Sequence, residues 1–375
     1  MKKFVTKSIL FAAPFVVLAL VEIFALPLDF FTFRVWESVK VDTLKNILPG
    51  YFYPRISITK TEQGDITHHT VYALEKTVEW HTDQFGYRNR DDTRAPEIVI
   101  IGDSNTVGTG LTQSDTLSVA LESRLGVRVY SFAPASLNVF LRDRQLTHDK
   151  PRVVIVATIE RDVPSLRTLK PELTYPSVLE RKFMELRSAI KGFRSLQGVA
   201  VPVDRLFKAN MLHYYRASVR RAITMVFLHG EKIPPPKQNI PSMHFLFGDL
   251  AVQDVPPDQL ERALTVVKSY NDLLKSMDIR FIFLPIPNKE NIYHDLLPSK
   301  KKPVFLGQTI DAMRKKGIET IDLQSAFDEA YRRNGPVLYL PDDTHWSAEG
   351  VRIAAELLAD AISGKKEGKI SPKSR

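Results

Sequence analysis

Short apolar runs rich in β-branched residues alternate along this chain with helical segments, and this alternation restricts the fold more than any other feature. The first run, residues 98–101, follows Pro96 and stops at Gly102. Runs that are apolar at every position, rather than at every second one, are typical of parallel strands covered on both faces. The sequence therefore predicts an α/β fold built on a doubly wound parallel sheet.

The pattern continues to the end of the chain with one interruption. Further strands are predicted at residues 127–130, 152–157, 279–284 and 320–323, and helices at 116–125, 260–277, about 309–316 and about 349–362. Between about residues 164 and 255 the alternation gives way to basic helical patches and three consecutive prolines. We interpret this part as an inserted helical region, whose basic face is a solvated surface, a substrate groove or a membrane-facing surface.

An apolar segment at residues 8–28 predicts one membrane helix. Its 21 residues would span about 31 Å at ~1.5 Å per residue, which matches the hydrocarbon core of a bilayer. Lysines precede it and few basic residues follow it, so the positive-inside rule places the amino terminus in the cytoplasm. We expect a single-pass anchor in the inner (cytoplasmic) membrane with the rest of the chain in the periplasm. A cleaved signal peptide is the alternative.

These features divide the chain into four parts. Residues 1–31 would be the anchor, 32–94 a linker and lead-in, 95–363 the α/β domain, and 364–375 a basic disordered tail. The first seven residues and the tail carry +7 of the net charge of +9, so a nucleic-acid-binding surface is not expected on the remainder. The absence of cysteine excludes thiol nucleophiles, thiolate metal ligands and disulfides.

A serine follows the first buried strand almost directly, in the segment Gly102-Asp103-Ser104. A glycine permits the turn there, and the carboxyl ends of parallel strands are where α/β folds carry their active sites. Free N–H groups at the start of the next helix would offer hydrogen bonds to an oxyanion. The alternative is structural, because Asp and Ser at such a position commonly cap the next helix.

A histidine with neighbouring carboxylates occurs 241 residues later. Asp342 and Asp343 precede His345 on a loop that leads into the last predicted helix. A histidine that acts as base to a serine hydroxyl needs a carboxylate to fix its tautomer. Taken alone, this segment also fits a turn-forming Asp pair beside a packed histidine. Because both segments follow strands of one parallel sheet, we expect Ser104 and His345 to meet at the same edge.

The two segments resemble the first and last sequence blocks of the SGNH (GDSL-type) hydrolase superfamily, over about residues 95–363. Within that superfamily the chain is similar to the membrane-anchored SGNH-like proteins of bacterial exopolysaccharide O-acetylation, of the alginate type. The segments that carry this narrower likeness are residues 85–88 (Phe-Gly-Tyr-Arg), 160–161 (Glu-Arg), 285–289 (Pro-Ile-Pro-Asn-Lys) and 343–346 (Asp-Thr-His-Trp). The resemblance implies a three-layer, flavodoxin-like SGNH fold.

The resemblance also implies a role for each candidate residue. Ser104 would be the nucleophile, His345 the general base, and Asp343 or Asp342 the carboxylate that orients the imidazole. The backbone N–H of Ser104 would form part of the oxyanion hole. Asn105 is a further candidate for binding the oxyanion or the substrate.

Two other blocks of the superfamily are altered in this chain. The glycine of the second block is replaced at Ala133, which would still provide its N–H. The asparagine of the third block has no counterpart in residues 157–162, and the loss of such a donor can cost on the order of 10² to 10³ in rate. Arg161 is our candidate substitute. An ion pair between Arg161 and Glu160 or Asp162 is the alternative.

The function that the resemblance implies is a serine-dependent acetyl transferase or esterase acting on an extracytoplasmic polysaccharide. An integral-membrane acyltransferase would supply the acetyl group across the bilayer. No metal site or other cofactor is expected, because no histidine spacing typical of a metal site is present. A plain carbohydrate esterase or lipase, and a non-catalytic scaffold of a polysaccharide export or modification complex, are the alternatives.

Overall fold

The computed structural model describes residues 2–26, 30, 32–41, 50–70, 72–91, 95–141, 150–169, 243–252, 255–333 and 337–364, and five isolated positions between 215 and 223. Most of the predicted insertion, with its basic patches, and the tail from residue 365 lie outside the described residues.

The elements of the described residues follow the predicted alternation. In chain order they are α1 (Lys2–Phe24), α2 (Val35–Val39), β1 (Ser57–Glu62), β2 (Lys76–His81), β3 (Ile98–Ile101), α3 (Ser104–Val107), α4 (Leu117–Leu125), β4 (Val129–Phe132), α5 (Leu137–Leu141), β5 (Val153–Ile159), α6 (Pro257–Ser276), β6 (Arg280–Ile286), α7 (Lys289–Ile292), α8 (Phe305–Lys315), α9 (Leu323–Arg332) and α10 (Ala348–Ser363). Short 3₁₀ turns lie at Gln113–Asp115, Glu160–Ser165, Gly248–Val252 and His294–Leu296.

The central sheet has four strands in the order β4-β3-β5-β6, and all three neighbouring pairs are parallel. In chain order this is 2-1-3-4, the order of flavodoxin-like doubly wound sheets. Nearly every residue of these strands is buried, which explains why their sequences are apolar throughout. The predicted α/β fold with a parallel sheet is therefore confirmed.

Helices cover both faces of the sheet and produce three layers. On one face Ile98, Ile100 and their neighbours pack against α4, α9 and α10. On the other face Val99, Ile101 and their neighbours pack against α6 and α8. The alternate residues of each strand thus supply two separate cores, as the uniform apolar runs predict.

The strand predicted at residues 320–323 is wrong beyond its first residue. Thr320 makes one parallel bridge with Phe283 at the edge of the sheet. The chain then turns into α9, because the carboxylate of Asp322 caps that helix by accepting the N–H of Ser325 at 2.9 Å. Leu323 is therefore the first residue of a helix and not the last residue of a strand.

The described part of the lead-in, residues 32–41, 50–70 and 72–91, folds against the α/β domain. Its strands β1 and β2 form an antiparallel pair. Its buried side chains form a cluster with Val107 of α3 and with Ala133, which directly follows β4; the lead-in members of this cluster are Val35, Val39, Phe52, Val78 and Trp80. The lead-in therefore packs on the segment that carries Ser104.

Helix α1 is long and apolar enough to cross a membrane, by its length and composition. None of its residues is buried against the rest of the described chain. Its apolar surface thus has no covering within the described protein, which agrees with the predicted membrane helix.

Candidate active site

Ser104 lies at the carboxyl edge of the sheet, three residues after β3. The turn requires glycine at position 102, because a β-carbon there would lie 2.7 Å from the carbonyl oxygen of Ala157. Asp103 caps α3: its Oδ1 accepts the N–H of Asn105 at 2.8 Å, and its Oδ2 accepts the N–H of Ile159 at 3.0 Å. Asp103 therefore performs the capping role, while Ser104 is the first residue of the helix and is partly exposed.

The structure brings Ser104 and His345 into direct contact. The Oγ of Ser104 lies 2.8 Å from Nε2 of His345. The other ring nitrogen, Nδ1, lies 2.5 Å from Oδ1 of Asp343, which is fully buried. With the ring proton on Nδ1 donated to Asp343, Nε2 is left to accept the hydroxyl proton of Ser104. This is the arrangement of a serine–histidine–aspartate triad.

The structure also distinguishes between the two candidate aspartates. Asp343 contacts the imidazole, whereas Asp342 points toward the lead-in. One oxygen of Asp342, Oδ2, accepts hydrogen bonds from the N–H groups of Gly64 and Leu74, both at 2.9 Å, and from the hydroxyl of Thr67 at 3.3 Å. Asp342 therefore holds Gly64, Thr67 and Leu74 of the lead-in rather than the histidine.

A buried lysine holds the loop that carries Asp343. The Nζ of Lys289 donates to the carbonyl oxygens of Leu340, Pro341 and Asp343 at 2.7, 2.8 and 2.9 Å. Burial lowers the pKa of Lys289 to about 8, although neighbouring carboxylates such as Glu290 act in the opposite direction. Lys289 lies three residues after β6. The histidine loop is therefore positioned from the carboxyl end of another strand of the same sheet.

Asn105 joins the serine segment to the histidine loop. Its side-chain Oδ1 accepts the N–H of Trp346 at 3.4 Å, and its carbonyl oxygen accepts the indole Nε1–H of Trp346 at 3.1 Å. The Nδ2 of Asn105 is buried and has no hydrogen-bond partner among the described residues. Both oxygens of Asn105 thus accept hydrogen bonds from protein groups. The side-chain Nδ2 is the group of Asn105 that could donate to a ligand.

The remaining predicted residues lie around this centre. Ala133 follows β4 and is fully buried, and two residues later the N–H of Ala135 donates to the carbonyl oxygen of Gly102 at 3.0 Å. The second-block segment therefore lies directly beside the serine turn.

Arg161 follows β5 in the 3₁₀ turn. Its guanidinium lies 6.0 Å from the ring centre of Phe247, and its charge lowers the pKa of Asp162, which burial raises overall. The Glu160 carboxylate instead accepts the N–H of Asn288 at 2.9 Å and the side-chain amide of Asn291 at 2.8 Å.

Asp65, a second carboxylate at the histidine, was not predicted from the sequence. Its Oδ2 lies 3.7 Å from Nδ1 of His345. Burial raises the pKa of Asp65, and the charge of Asp343 raises it further. Asp65 lies 280 residues before the histidine in a segment interpreted as a linker, and no local pattern identifies it. The only hint in the sequence is the preceding Gly64, since a glycine can mark a close approach of two segments. In the structure a β-carbon at Gly64 would lie 2.1 Å from the carbonyl oxygen of Asp342.

Asp65, Asp343 and His345 also form the kind of cluster that a metal ion can use, because one ligand atom from each lies within 4.8 Å of the others. The donor set argues for a different role. Nδ1 of His345 lies at a short hydrogen-bond distance from Asp343, and the hydroxyl of Thr344 donates to Asp65 at 2.6 Å. These atoms already satisfy one another as donors and acceptors, so we interpret the cluster as a hydrogen-bond network.

Comparison with known families supports the resemblance that the motifs predict. The family described as "SGNH hydrolase-like domain, acetyltransferase AlgX" matches residues 245–375. This match includes Lys289, Asp343 and His345 but begins after Ser104, which lies outside it.

Comparison with individual proteins gives more distant matches. The Pseudomonas putida KT2440 protein named "Probable alginate O-acetylase AlgJ" is 26% identical over 109 residues, and the matched part is 28% of each chain. This chain thus matches little more than a quarter of that relative.

Solved structures with similarity include a candidate acylhydrolase of Bacteroides fragilis, with 13% identity, a TM-score of 0.34, and coverage of 74% of this chain and 90% of that one. Another is a carbohydrate esterase whose active site is described as having divergent catalytic and non-catalytic binding functions, with 11% identity, a TM-score of 0.32, and coverage of 88% and 96%. Both scores are low, and the fold is established here by the strand order and the three layers.

The motif at Gly102-Asp103-Ser104, the loop at His345 and the parallel sheet between them agree with the match over residues 245–375. This chain resembles the SGNH hydrolase superfamily and, within it, the SGNH-like proteins of alginate-type O-acetylation.

Proposed function

We propose that this protein is a serine-dependent acetyl transferase or esterase whose catalytic residues are Ser104, His345 and Asp343. The observation that carries the proposal is the continuous hydrogen-bonded series from Ser104 Oγ through the imidazole to Asp343, with distances of 2.8 and 2.5 Å. The series is buried at its carboxylate end and reachable at its serine end. A nucleophile needs this combination, because the substrate must contact the hydroxyl while water is kept from the carboxylate.

In the first half-reaction Nε2 of His345 takes the proton of Ser104 as Oγ attacks the acetyl carbonyl carbon of the donor ester. Asp343 holds the ring in place through Nδ1 and stabilises the imidazolium that forms. The tetrahedral intermediate then breaks its bond to the leaving oxygen, which takes the proton from Nε2. The products are acetyl-Ser104 and a free alcohol.

In the second half-reaction a hydroxyl of the acceptor loses its proton to Nε2 of His345 and attacks acetyl-Ser104. The ester bond to Oγ breaks, and Oγ regains the proton from the imidazolium. The acceptor decides the outcome: a sugar hydroxyl gives transfer and water gives hydrolysis. The N–H of Ser104 at the start of α3, the N–H of Ala133 and the buried Nδ2 of Asn105 are the proposed oxyanion donors. Arg161 remains a candidate for contact with the acetyl donor or the sugar.

Exposed aromatic rings beside the histidine loop support a sugar as acceptor. Tyr72 is 41% exposed, and its ring lies 5.5 Å from the ring of His244. The backbone N–H of His244 donates to the carbonyl oxygen of Pro341. Phe247 is 43% exposed and lies under the guanidinium of Arg161. The apolar faces of both rings suit the C–H face of a pyranose, and the hydroxyl of Tyr72 can also bond to sugar hydroxyls. The partial match to a protein named "Probable alginate O-acetylase AlgJ" favours a polysaccharide as acceptor.

The proposed location is the periplasmic side of the inner membrane. Residues 1–31 would be the uncleaved anchor and residues 95–363 the α/β domain, while residues 364–375 would be a basic tail without a defined role. The lysines before the apolar segment support an amino terminus in the cytoplasm. An integral-membrane acyltransferase is the proposed source of acetyl groups, since acetyl donors made in the cytoplasm must cross the bilayer.

The test uses the full-length protein in detergent micelles with an aryl acetate and a fluorophosphonate probe. We expect the probe to label Ser104 and the Ser104→Ala variant to lose turnover by about 10⁴-fold or more. Undiminished turnover in Ser104→Ala would show that the serine is not the nucleophile. Supplying an alginate oligosaccharide together with water then separates the two reactions, because transfer yields acetylated sugar and hydrolysis yields acetate.

A non-catalytic scaffold is the second candidate. It is favoured by the altered third block, where no asparagine stands among residues 157–162. If the folded protein is not labelled by the fluorophosphonate, the scaffold function gains support over catalysis.

A further inference from the structure

Asp65 contacts three consecutive residues of the histidine loop. Its carboxylate accepts the N–H of Thr344 at 2.8 Å and the hydroxyl of Thr344 at 2.6 Å. The backbone N–H of Asp65 donates to Oδ2 of Asp343 at 3.2 Å. Its Oδ2 lies 3.7 Å from Nδ1 of His345, so two carboxylates, those of Asp343 and Asp65, lie near the same ring nitrogen.

Arg34 lies behind this second carboxylate. Its guanidinium is 3.9 Å from Oδ2 of Asp65, and its side chain is largely buried. Arg34 lies only ten residues after Phe24, the end of the candidate membrane helix. The charge that faces Asp65 therefore comes from the segment that follows the candidate membrane helix in the chain.

The residues after Arg34 fix that segment to the serine side of the site. Val35 and Val39 of α2 are fully buried and pack in one cluster with Val107, the last residue of α3. The N–H of Val35 donates to the carboxylate of Glu62 at 2.6 Å. One short segment thus contacts the serine helix through apolar packing and the histidine loop through Arg34 and Asp65.

We propose that Asp65 is a positioning residue that orients His345 as a second carboxylate, and that Arg34 holds Asp65 in place. The segment beside the membrane helix is then part of the support of the active site. This inference rests on the proposed function for its catalytic meaning, and its geometric part concerns the imidazole alone.

The charges around the imidazole make this effect measurable. The groups that face His345 or its carboxylates are Asp343, Asp65, Arg34, Lys76 and Lys289. Although burial acts to raise it, the pKa of Asp343 is held well below its usual range by His345 and by Lys76, whose Nζ is 3.6 Å away. Asp343 is therefore ionised, and a substitution at Asp65 alters the other carboxylate that faces the imidazole.

Two substitutions separate charge from mechanical support. Asp65→Asn removes the charge and keeps an oxygen for the N–H of Thr344. Thr344→Val removes a hydroxyl bonded to Asp65 and leaves the carboxylate beside the ring. The readout is the NMR titration of the His345 imidazole in full-length, histidine-labelled protein in micelles, with the signal assigned by its loss in His345→Gln.

We expect the titration midpoint of His345 to fall by about one pH unit in Asp65→Asn, because an anion at this distance favours the imidazolium. We expect Thr344→Val to move it much less. A midpoint unchanged in Asp65→Asn, or an equal shift in both variants, would overturn the inference.

A second pair of variants covers the case in which Asp65→Asn does not fold. We expect Arg34→Gln to shift the titration midpoint of His345 by about half a pH unit or more. We expect Arg34→Lys to keep the wild-type midpoint, since lysine keeps the positive charge. Equal midpoints in Arg34→Gln and wild type would contradict the role given to Arg34. These titrations need no substrate, so they stand apart from the Ser104→Ala test. If the titrations and the Ser104→Ala test both give the expected results, we expect the acidic side of the pH profile of kcat/KM for aryl acetate to shift together with the titration midpoint of His345.

Discussion

The Oγ of Ser104 lies 2.8 Å from Nε2 of His345, although 241 residues separate them in the chain. A second pair of residues, Asn105 and Trp346, also joins the serine segment to the histidine loop. Asn105, the residue after the serine, accepts two hydrogen bonds from Trp346, the residue after the histidine. The pair is therefore held by its immediate neighbours in the chain, and not only by the contact between the two side chains.

Substitution of the two adjacent aspartates by asparagine should give opposite results. Asp343→Asn disturbs the tautomer of His345, so we expect kcat for aryl acetate to fall by about 10² to 10⁴ while the protein stays folded. Asp342→Asn weakens three hydrogen bonds to the lead-in, so we expect it to lower the free energy of unfolding by about 1–3 kcal/mol with most of kcat retained. Turnover and chemical denaturation of both variants check this. A loss of kcat in Asp342→Asn equal to that in Asp343→Asn would contradict the assignment.

The sequence predicted the sheet and the meeting of Ser104 with His345, because both depend on patterns within short segments. Apolar strands fix the parallel sheet, and a parallel sheet brings the ends of its strands to one edge. Asp65 could not be predicted this way. Its position depends on how the lead-in packs against the loop of Asp342, and that packing is set by contacts between segments about 280 residues apart.

Similar reasoning explains the other differences. The sequence favoured Asp343 but left Asp342 as an alternative, since both precede His345 at a usable spacing. Only the course of the loop, which turns Asp342 toward Gly64, distinguishes them. The three hydrogen bonds from Lys289 to the histidine loop were also not predicted. Their acceptors are backbone carbonyl oxygens, which every residue has, so the sequence of the loop gives no signal for them.

A glycine substitution tests the contact between the lead-in and the histidine loop. A β-carbon at Gly64 would lie 2.1 Å from the carbonyl oxygen of Asp342, so we expect Gly64→Ala to lower the free energy of unfolding by about 2 kcal/mol or more. Gly307 in α8 is a matched control, since a β-carbon there has no atom within 4 Å. We expect Gly307→Ala to be neutral or to stabilise by up to about 1 kcal/mol. Equal stabilities of the two variants in urea denaturation would refute the close contact.

The buried carboxylate of Glu160 predicts a pH-dependent stability. Burial raises its pKa to about 7 in the folded protein, even though Asn288 and Asn291 donate to it. Because the folded-state pKa lies above the usual value near 4.5, the stability that Glu160 contributes is present below about pH 4.5 and is lost as the pH rises toward 7. Glu160→Gln has no such loss. We expect its free energy of unfolding relative to wild type to increase between pH 5 and pH 8, on the order of 1–3 kcal/mol. A difference independent of pH would show that Glu160 is ionised in the folded protein throughout this range.

If the exposed aromatic rings bind the sugar, removing one of them should weaken the reaction with an oligosaccharide acceptor and leave the hydrolysis of aryl acetate unchanged. Tyr72→Ala removes a ring beside the histidine loop but no group of the proposed triad. We expect the KM for an oligosaccharide acceptor to rise about five- to tenfold, the loss of roughly 1 kcal/mol of ring contact, with hydrolysis of aryl acetate unchanged. Val304, which is also exposed and apolar but precedes α8, provides a control substitution to alanine that should alter neither. If Tyr72→Ala lowered both reactions equally, the ring would act on the fold of the loop instead of the sugar. If it changed neither, the acceptor would bind elsewhere on the protein.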